Sequence, residues 1–174
     1  MLSIFISLIF AVTLGGGVSI AANSAMPGDV LYPFKINVNE KVEEKLTQSS
    51  DAAVTLHLAN MEERLTEATQ LATKGALDEK TAQRLAENFN THTRAVGGAI
   101  TRLQATGNTA AAAELATKFQ ATLTRQTATL VDMGAKNTAP VQTSLASVLA
   151  SVQQALGAAA LTSAKASAQA AVEQ

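Results

Sequence analysis

Hydrophobic positions follow two patterns along the chain. Residues 1–22 form an almost unbroken apolar run, and no charged side chain occurs before Asp29. From about residue 33 onward, apolar residues recur at helical steps of three and four. In the segment from Ser49 or Ser50 to Lys74 they are Val54, Leu58, Met61, Leu65, Ala68 and Ala72. That is a heptad seam. The next segment carries Ala82, Leu85, Phe89, His92, Val96, Ile100 and Leu103 on one side. A third, about 109–135, has Ala112, Leu115, Phe119, Leu123, Leu130 and Met133, and a fourth has Val141, Leu145, Val148, Val152 and Leu156.

Turn chemistry separates these segments. Pro27-Gly28 suits a tight turn, and Asp29 is expected to accept from following backbone N–H groups. Pro33 is placed to open a first helix over 33–48, whose Glu40, Lys41, Glu43, Glu44 and Lys45 predict a solvated face. Ser49 or Ser50 caps the second helix and Gly75 stops it. Asp78 caps the third, and Gly107-Asn108 ends it. Asn137-Thr138 breaks the fourth, and Pro140 sits in the first turn of the fifth. Connections of a few residues make neighbours antiparallel. We therefore expect an all-α fold, an up-down antiparallel helical bundle of four to five helices, preceded by an apolar membrane-directed segment. Helices of about 25 residues give a rod of roughly 37 Å. The expected division is 1–25 as signal peptide or membrane anchor, 26–157 as the bundle, and 158–174 as an Ala-rich extension.

The opening run is long enough to span a bilayer. Ser19-x-Ala21 and Ala22-x-Ser24 also fit a small-x-small cleavage pattern, so a retained anchor and a cleaved signal both stand. Either places the body outside the cytoplasm, facing outward from the cell membrane or secreted. No basic residue precedes the run, so orientation is set otherwise or the start lies upstream. A buried core helix is the structural alternative.

Charge and composition narrow the classes. The 13 basic and 14 acidic residues give a net charge of -1, with no basic footprint for nucleic acid and no polybasic patch for anionic lipid. Aromatics make up 3%, with no Trp, which disfavours stacking platforms and roomy aromatic pockets. Cysteine is absent, and a bundle of this size does not need disulfides.

Few constellations carry chemistry. Gly17-Val18-Ser19-Ile20-Ala21 resembles a nucleophile elbow only superficially, lying in the apolar run without a strand. No Gly-rich phosphate loop, His-Glu-x-x-His or Glu-x-x-His motif occurs, so no catalytic residue, metal ligand set or cofactor is expected. The two histidines, His57 and His92, are candidates for a ligand or pH response. Pairing helices about a loop centred near Ala76 puts His92 opposite Met61 and His57 opposite Val96. That offset is four residues, about 6 Å. The alternatives are a hydrogen-bonded core histidine at 92 and a surface histidine at 57. Glu63, Arg64 and Glu67 are expected to form a solvated charge cluster. Gly97-Gly98 inside a helix costs about 2 kcal/mol against two alanines. A close crossing or kink is one explanation, a hinge the other. Beyond Ala158 the Ala-, Ser- and Gln-rich tail has little to bury, which predicts a frayed extension or an association surface.

Pro27-Gly28-Asp29, Leu31-Tyr32-Pro33 and Lys35, followed by Val38-Asn39-Glu40-Lys41-Val42, resemble the opening of a bacterial family of exported or membrane-tethered helical domains of unknown function. Leu56-His57-Leu58-Ala59, then Glu63-Arg64-Leu65 and Glu67-Ala68, resemble that family's Arg-Leu-x-Glu-Ala helix. Phe89-x-x-His92 and the Gly107 turn also fit. The likeness covers about residues 26–135. It implies that Pro27, Gly28, Asp29, Tyr32, Pro33, Lys35, Arg64 and Glu67 are a structural signature. Many relatives carry a His on the fourth helix where this chain has Arg125 or Gln126, which counts against a full histidine cluster. The resemblance implies no activity or cofactor.

The leading expectation is a non-enzymatic, membrane-associated extracytoplasmic bundle acting through protein interaction, as a structural or scaffold element of the cell envelope. Its partners would be the membrane, through residues 1–25 if uncleaved, and an envelope protein or a second copy, with no nucleic acid. An extracytoplasmic sensor or ligand-binding domain is the first alternative. A lipid-binding amphipathic bundle is the second.

Overall fold

The computed structural model describes residues 19–47 and 49–172. The chain divides into two compact units after residue 48.

In the first unit, residues 19–23 are helical and a turn follows. Residues 1–18, which hold most of the expected signal or anchor, lie outside the described residues. At the turn, Gly28 takes φ 104°, a conformation that favours glycine. The Asp29 carboxylate accepts from Met26 N–H at 2.7 Å, and Asp29 N–H donates to Met26 C=O at 2.9 Å. The Asp29 carboxylate thus closes the turn behind it, while its carbonyl accepts from the following Tyr32 N–H at 3.1 Å. The first helix is not the uniform 33–48 span. It runs as α1 (Tyr32–Phe34), a π-helical stretch (Lys35–Asn39) and α2 (Glu40–Leu46). The π-stretch inserts an extra residue per turn, which periodicity alone does not reveal.

Asn39, at the end of the π-stretch, is tied back to the opening helix. Its Nδ2 donates to Ser19 C=O at 2.7 Å and to Asn23 Oδ1 at 2.6 Å, and Ser19 Oγ donates to its Oδ1 at 3.0 Å. Ala22 and Ala25 are buried. Lys35 is buried as well; its Nζ donates to Ala25 C=O at 3.3 Å and lies 5.8 Å from the Tyr32 ring centroid. The ammonium faces a π system and a carbonyl there, which offsets part of its lost hydration.

The second unit holds α3 (Ser50–Thr73), α4 (Glu79–Ala105), α5 (Thr109–Ala135) and α6 (Ala139–Val172). The chain is all-helical among the described residues, and these four helices pack as a bundle. Its punctuation follows the sequence. Ser49 Oγ accepts from Ala52 N–H at 3.1 Å, and the Asp78 carboxylate from Thr81 N–H at 2.7 Å. At the end of α3, Gly75 N–H donates to Ala72 C=O and Ala76 N–H to Leu71 C=O. This crossed pair is a Schellman motif, with Gly75 left-handed at φ 66°.

The core is built from the expected stripes: Met61, Leu65, Ala68 and Ala72 meet Ala82, Leu85, Phe89, Val96 and Ile100, with Phe119, Leu123, Leu130, Val141, Leu145, Val148 and Val152. Small residues (Ala112, Ala116, Ala155 and Ala159 among them) fill the rest, so the helices are slim. The alanine-rich tail continues α6 as helix to Val172, with Ala159 buried and Leu161 exposed.

Two expectations fail in α3 and α4. Beside its apolar seam, α3 buries a second stripe, Asn60, Arg64, Glu67 and Leu71, at steps of four, three and four. Arg64 and Glu67 therefore do not belong to a solvated cluster. At Gly97 a Cβ would meet nothing within 4 Å, and at Gly98 only Arg102 Nη1 at 3.4 Å. No close crossing requires these glycines, and α4 runs helical through both.

Candidate functional site

The geometry brings the two histidines together. His57 lies on α3 and His92 on α4, and their Nδ1 atoms are 3.2 Å apart. The ring centroids are 5.5 Å apart, with the planes tilted by 40°. Both side chains are half-buried. Helix register alone left them four residues out of step. The packed helices nonetheless bring the two rings into contact. In the neutral pair one Nδ1 carries the proton and the other accepts it.

Electrostatics keep His92 neutral. Burial is the largest cause, followed by the neighbouring His57 and by Arg64; Glu63 acts in the opposite direction. Together they depress its pKa from 6.5 to about 4. At neutral pH, His92 thus offers lone pairs and not a positive charge.

Beside the pair, α3 carries the buried ionic stripe. Arg64 Nη2 lies 3.2 Å from Glu67 Oε1 and 3.4 Å from Glu63 Oε2. Arg64 and Glu67 are nearly inaccessible, whereas Glu63 is 40% exposed. Arg125 on α5 reaches Glu62 on α3 at 3.1 Å, with side-chain exposures of 65% and 41%.

Of the signature residues, Tyr32, Lys35, Arg64 and Glu67 are buried; Gly28, Asp29 and Pro33 are exposed and Pro27 is intermediate. The opening motif thus supplies exposed turn residues beside buried Tyr32 and Lys35, whereas the α3 motif supplies only the buried Arg64 and Glu67. Gly97 and Gly98 lie about one and a half turns beyond His92 on α4. A separate groove in this unit is lined by Val54, Leu58, Leu103, Leu115 and charged residues of α3, α4 and α5. Neither histidine lines it. Among the described residues, no group of three or more His, Cys, Asp or Glu side chains converges as a metal cluster.

These features define an all-helical domain with a paired-histidine contact between two bundle helices and a buried ionic stripe beside it. The chain belongs to a family of domains of unknown function (DUF5667), whose sequence profile matches residues 24–174. No curated protein and no solved structure matches the chain.

Proposed function

We propose that the chain is a non-enzymatic, membrane-associated extracytoplasmic helical domain that acts by binding a protein partner in the cell envelope. The observation that carries this reading is the state of α6. The most apolar 18-residue window of its stretch Ala139–Lys165 has a mean hydropathy of 1.4, yet only 28% of that window is buried. One face, through Val141, Leu145, Val148 and Val152, completes the core. The remainder leaves apolar and small side chains uncovered, including Leu161 at 68% exposure. Such a surface favours a partner over bare solvent.

The Asn39 contacts to Ser19 and Asn23 support retention of the opening segment, since cleavage after Ala21 or Ser24 would remove Ser19 from them. Fractionation with intact-mass measurement tests both parts. A full-length mass in the membrane fraction, with an envelope protein or a second copy cross-linked through α6, supports the reading. A mass beginning near Ala22 to Met26 in the soluble exported fraction sinks the tether. α6 is also long and apolar enough to cross a membrane by length and composition. Protease protection of α6 in intact vesicles would replace the partner surface with a second span.

A second reading, an extracytoplasmic sensor or ligand-binding domain, is favoured by the His57–His92 contact. Two imidazoles converging from different helices couple any ligand they share to the α3–α4 packing. A melting shift on ligand addition, abolished in His92→Ala, would support it, and no response to any added ion or to pH would sink it.

A further inference from the structure

We propose that His57 and His92 form a binding site for a borderline divalent transition-metal ion, of the zinc and copper class, with the two Nδ1 atoms as ligands. This assignment rests on the ligand-binding reading above and names its ligand.

The separation of the two nitrogens is the first support. With metal–nitrogen bonds of about 2.0–2.1 Å, ligand atoms 3.2 Å apart subtend roughly 100–106° at the metal. That lies close to the tetrahedral angle. The same 3.2 Å is at the long end of the range for a hydrogen bond. The pair is therefore spaced at least as well for an ion between its nitrogens as for a proton.

The placement is the second support. The ligands stand on two capped helices of 24 and 27 residues, so the bite is set by packed elements and not by a loop. An ion bridging them would clasp α3 to α4.

Ligand chemistry selects the ion. Paired imidazoles suit zinc, copper and nickel, whereas calcium and magnesium need oxygen ligands. Two protein ligands leave coordination positions for water or an incoming group, as in open rather than structural sites. The local field tolerates the charge: Arg64 opposes a cation, but Glu67 and Glu63 lie within 3.4 Å of its guanidinium.

The test uses the full chain, tag-free in detergent and stripped by chelator. Zinc chloride and copper sulfate are titrated separately by calorimetry at pH 7.5. We expect one ion per chain, with affinity at least tenfold lower in His57→Ala and in His92→Ala. His57 and His92 are the sole histidines of the sequence, so the copper spectrum in electron paramagnetic resonance should show coupling to two imidazole nitrogens. If His92→Ala fails to fold, His57→Gln at its half-buried position carries the comparison. Absence of binding to the unmodified chain overturns the assignment. So does binding that survives in the histidine variants. Melting of the metal-free chain between pH 5 and 8 separates the two levels. A pH response lost in His92→Ala, without metal binding, overturns the metal site and leaves the sensor reading. Neither response overturns both.

Discussion

Arg64 Nη2 lies 3.2 Å from Glu67 Oε1, one turn along α3, with side-chain exposures of 0% and 3%. A guanidinium and a carboxylate that have both left water depend on such contacts, because each alone would be a buried charge. Removing one partner should therefore cost far more than an ordinary surface change. We expect Glu67→Ala to destabilise the chain by about 3–5 kcal/mol, read from urea denaturation. Glu63→Ala, which removes an exposed carboxylate from the same guanidinium, should cost about 1 kcal/mol or less. Equal costs for the two would show that burial does not set the strength of this stripe.

The same stripe shows where sequence pattern stops. Met61, Leu65, Ala68 and Ala72 announce a buried seam because they are apolar at heptad spacing. Asn60, Arg64, Glu67 and Leu71 repeat at that spacing one position earlier and are buried too. Their side chains, however, carry the composition of a solvated face. The periodicity was there to be read; residue type pointed the other way, since Arg and Glu are seldom buried unless paired. Caps were legible because they act locally: Ser49, Asp78 and Gly75 each satisfy backbone groups within a few residues. The histidine contact was half legible. Counting residues about Ala76 put His57 and His92 on facing helices, but register carries no information about where a ring nitrogen reaches. The π-stretch at Lys35–Asn39 left no periodic trace, being shorter than one heptad.

Asp78 offers a test of the local rules. Its carboxylate accepts from Thr81 N–H, and that bond, with a second from the Thr81 side chain, lowers its pKa below the ordinary 3.8. Asp78→Ala should destabilise α4 by about 1 kcal/mol, and Asp78→Asn by less, because Asn is itself a good cap. The sign with pH follows from the depressed value. The cap contribution is full above the unfolded carboxyl pKa and is lost as pH falls through the lower native one. Denaturation midpoints of Asp78→Ala and the unmodified chain should therefore converge at the acid end of the series.

Gly97 should accept a methyl group. The position is helical, and an added Cβ meets nothing within 4 Å. Gly97→Ala is expected to stabilise the chain by about 1 kcal/mol through helix propensity and a less disordered unfolded state. Gly98→Ala should gain less, because its Cβ touches Arg102 Nη1 at 3.4 Å. If these glycines serve as a hinge, the stabilised Gly97→Ala chain should lose partner or ligand response while melting higher. Gain of stability with an unchanged response would remove the hinge role.

His92 gives the metal-free chain a defined pH dependence. Its native pKa, about 4, lies below the ordinary 6.5, chiefly through burial, then through His57 and Arg64, with Glu63 opposing. As pH falls below 6.5 the unfolded chain takes up a proton at this position while the folded chain does not. The unfolded state therefore binds more protons across the window from 6.5 to 4, and stability must fall as pH falls there. It is fully present above pH 6.5. Urea midpoints measured in chelator should drop between pH 7 and pH 5, above the range where most carboxylates titrate. His92→Ala should flatten most of that slope. His57→Ala should flatten part of it, because it removes one of the causes that hold His92 neutral. A slope in His92→Ala equal to that of the unmodified chain would mean that His92 is no less basic in the folded chain than in the unfolded one, and that the paired geometry does not hold in solution.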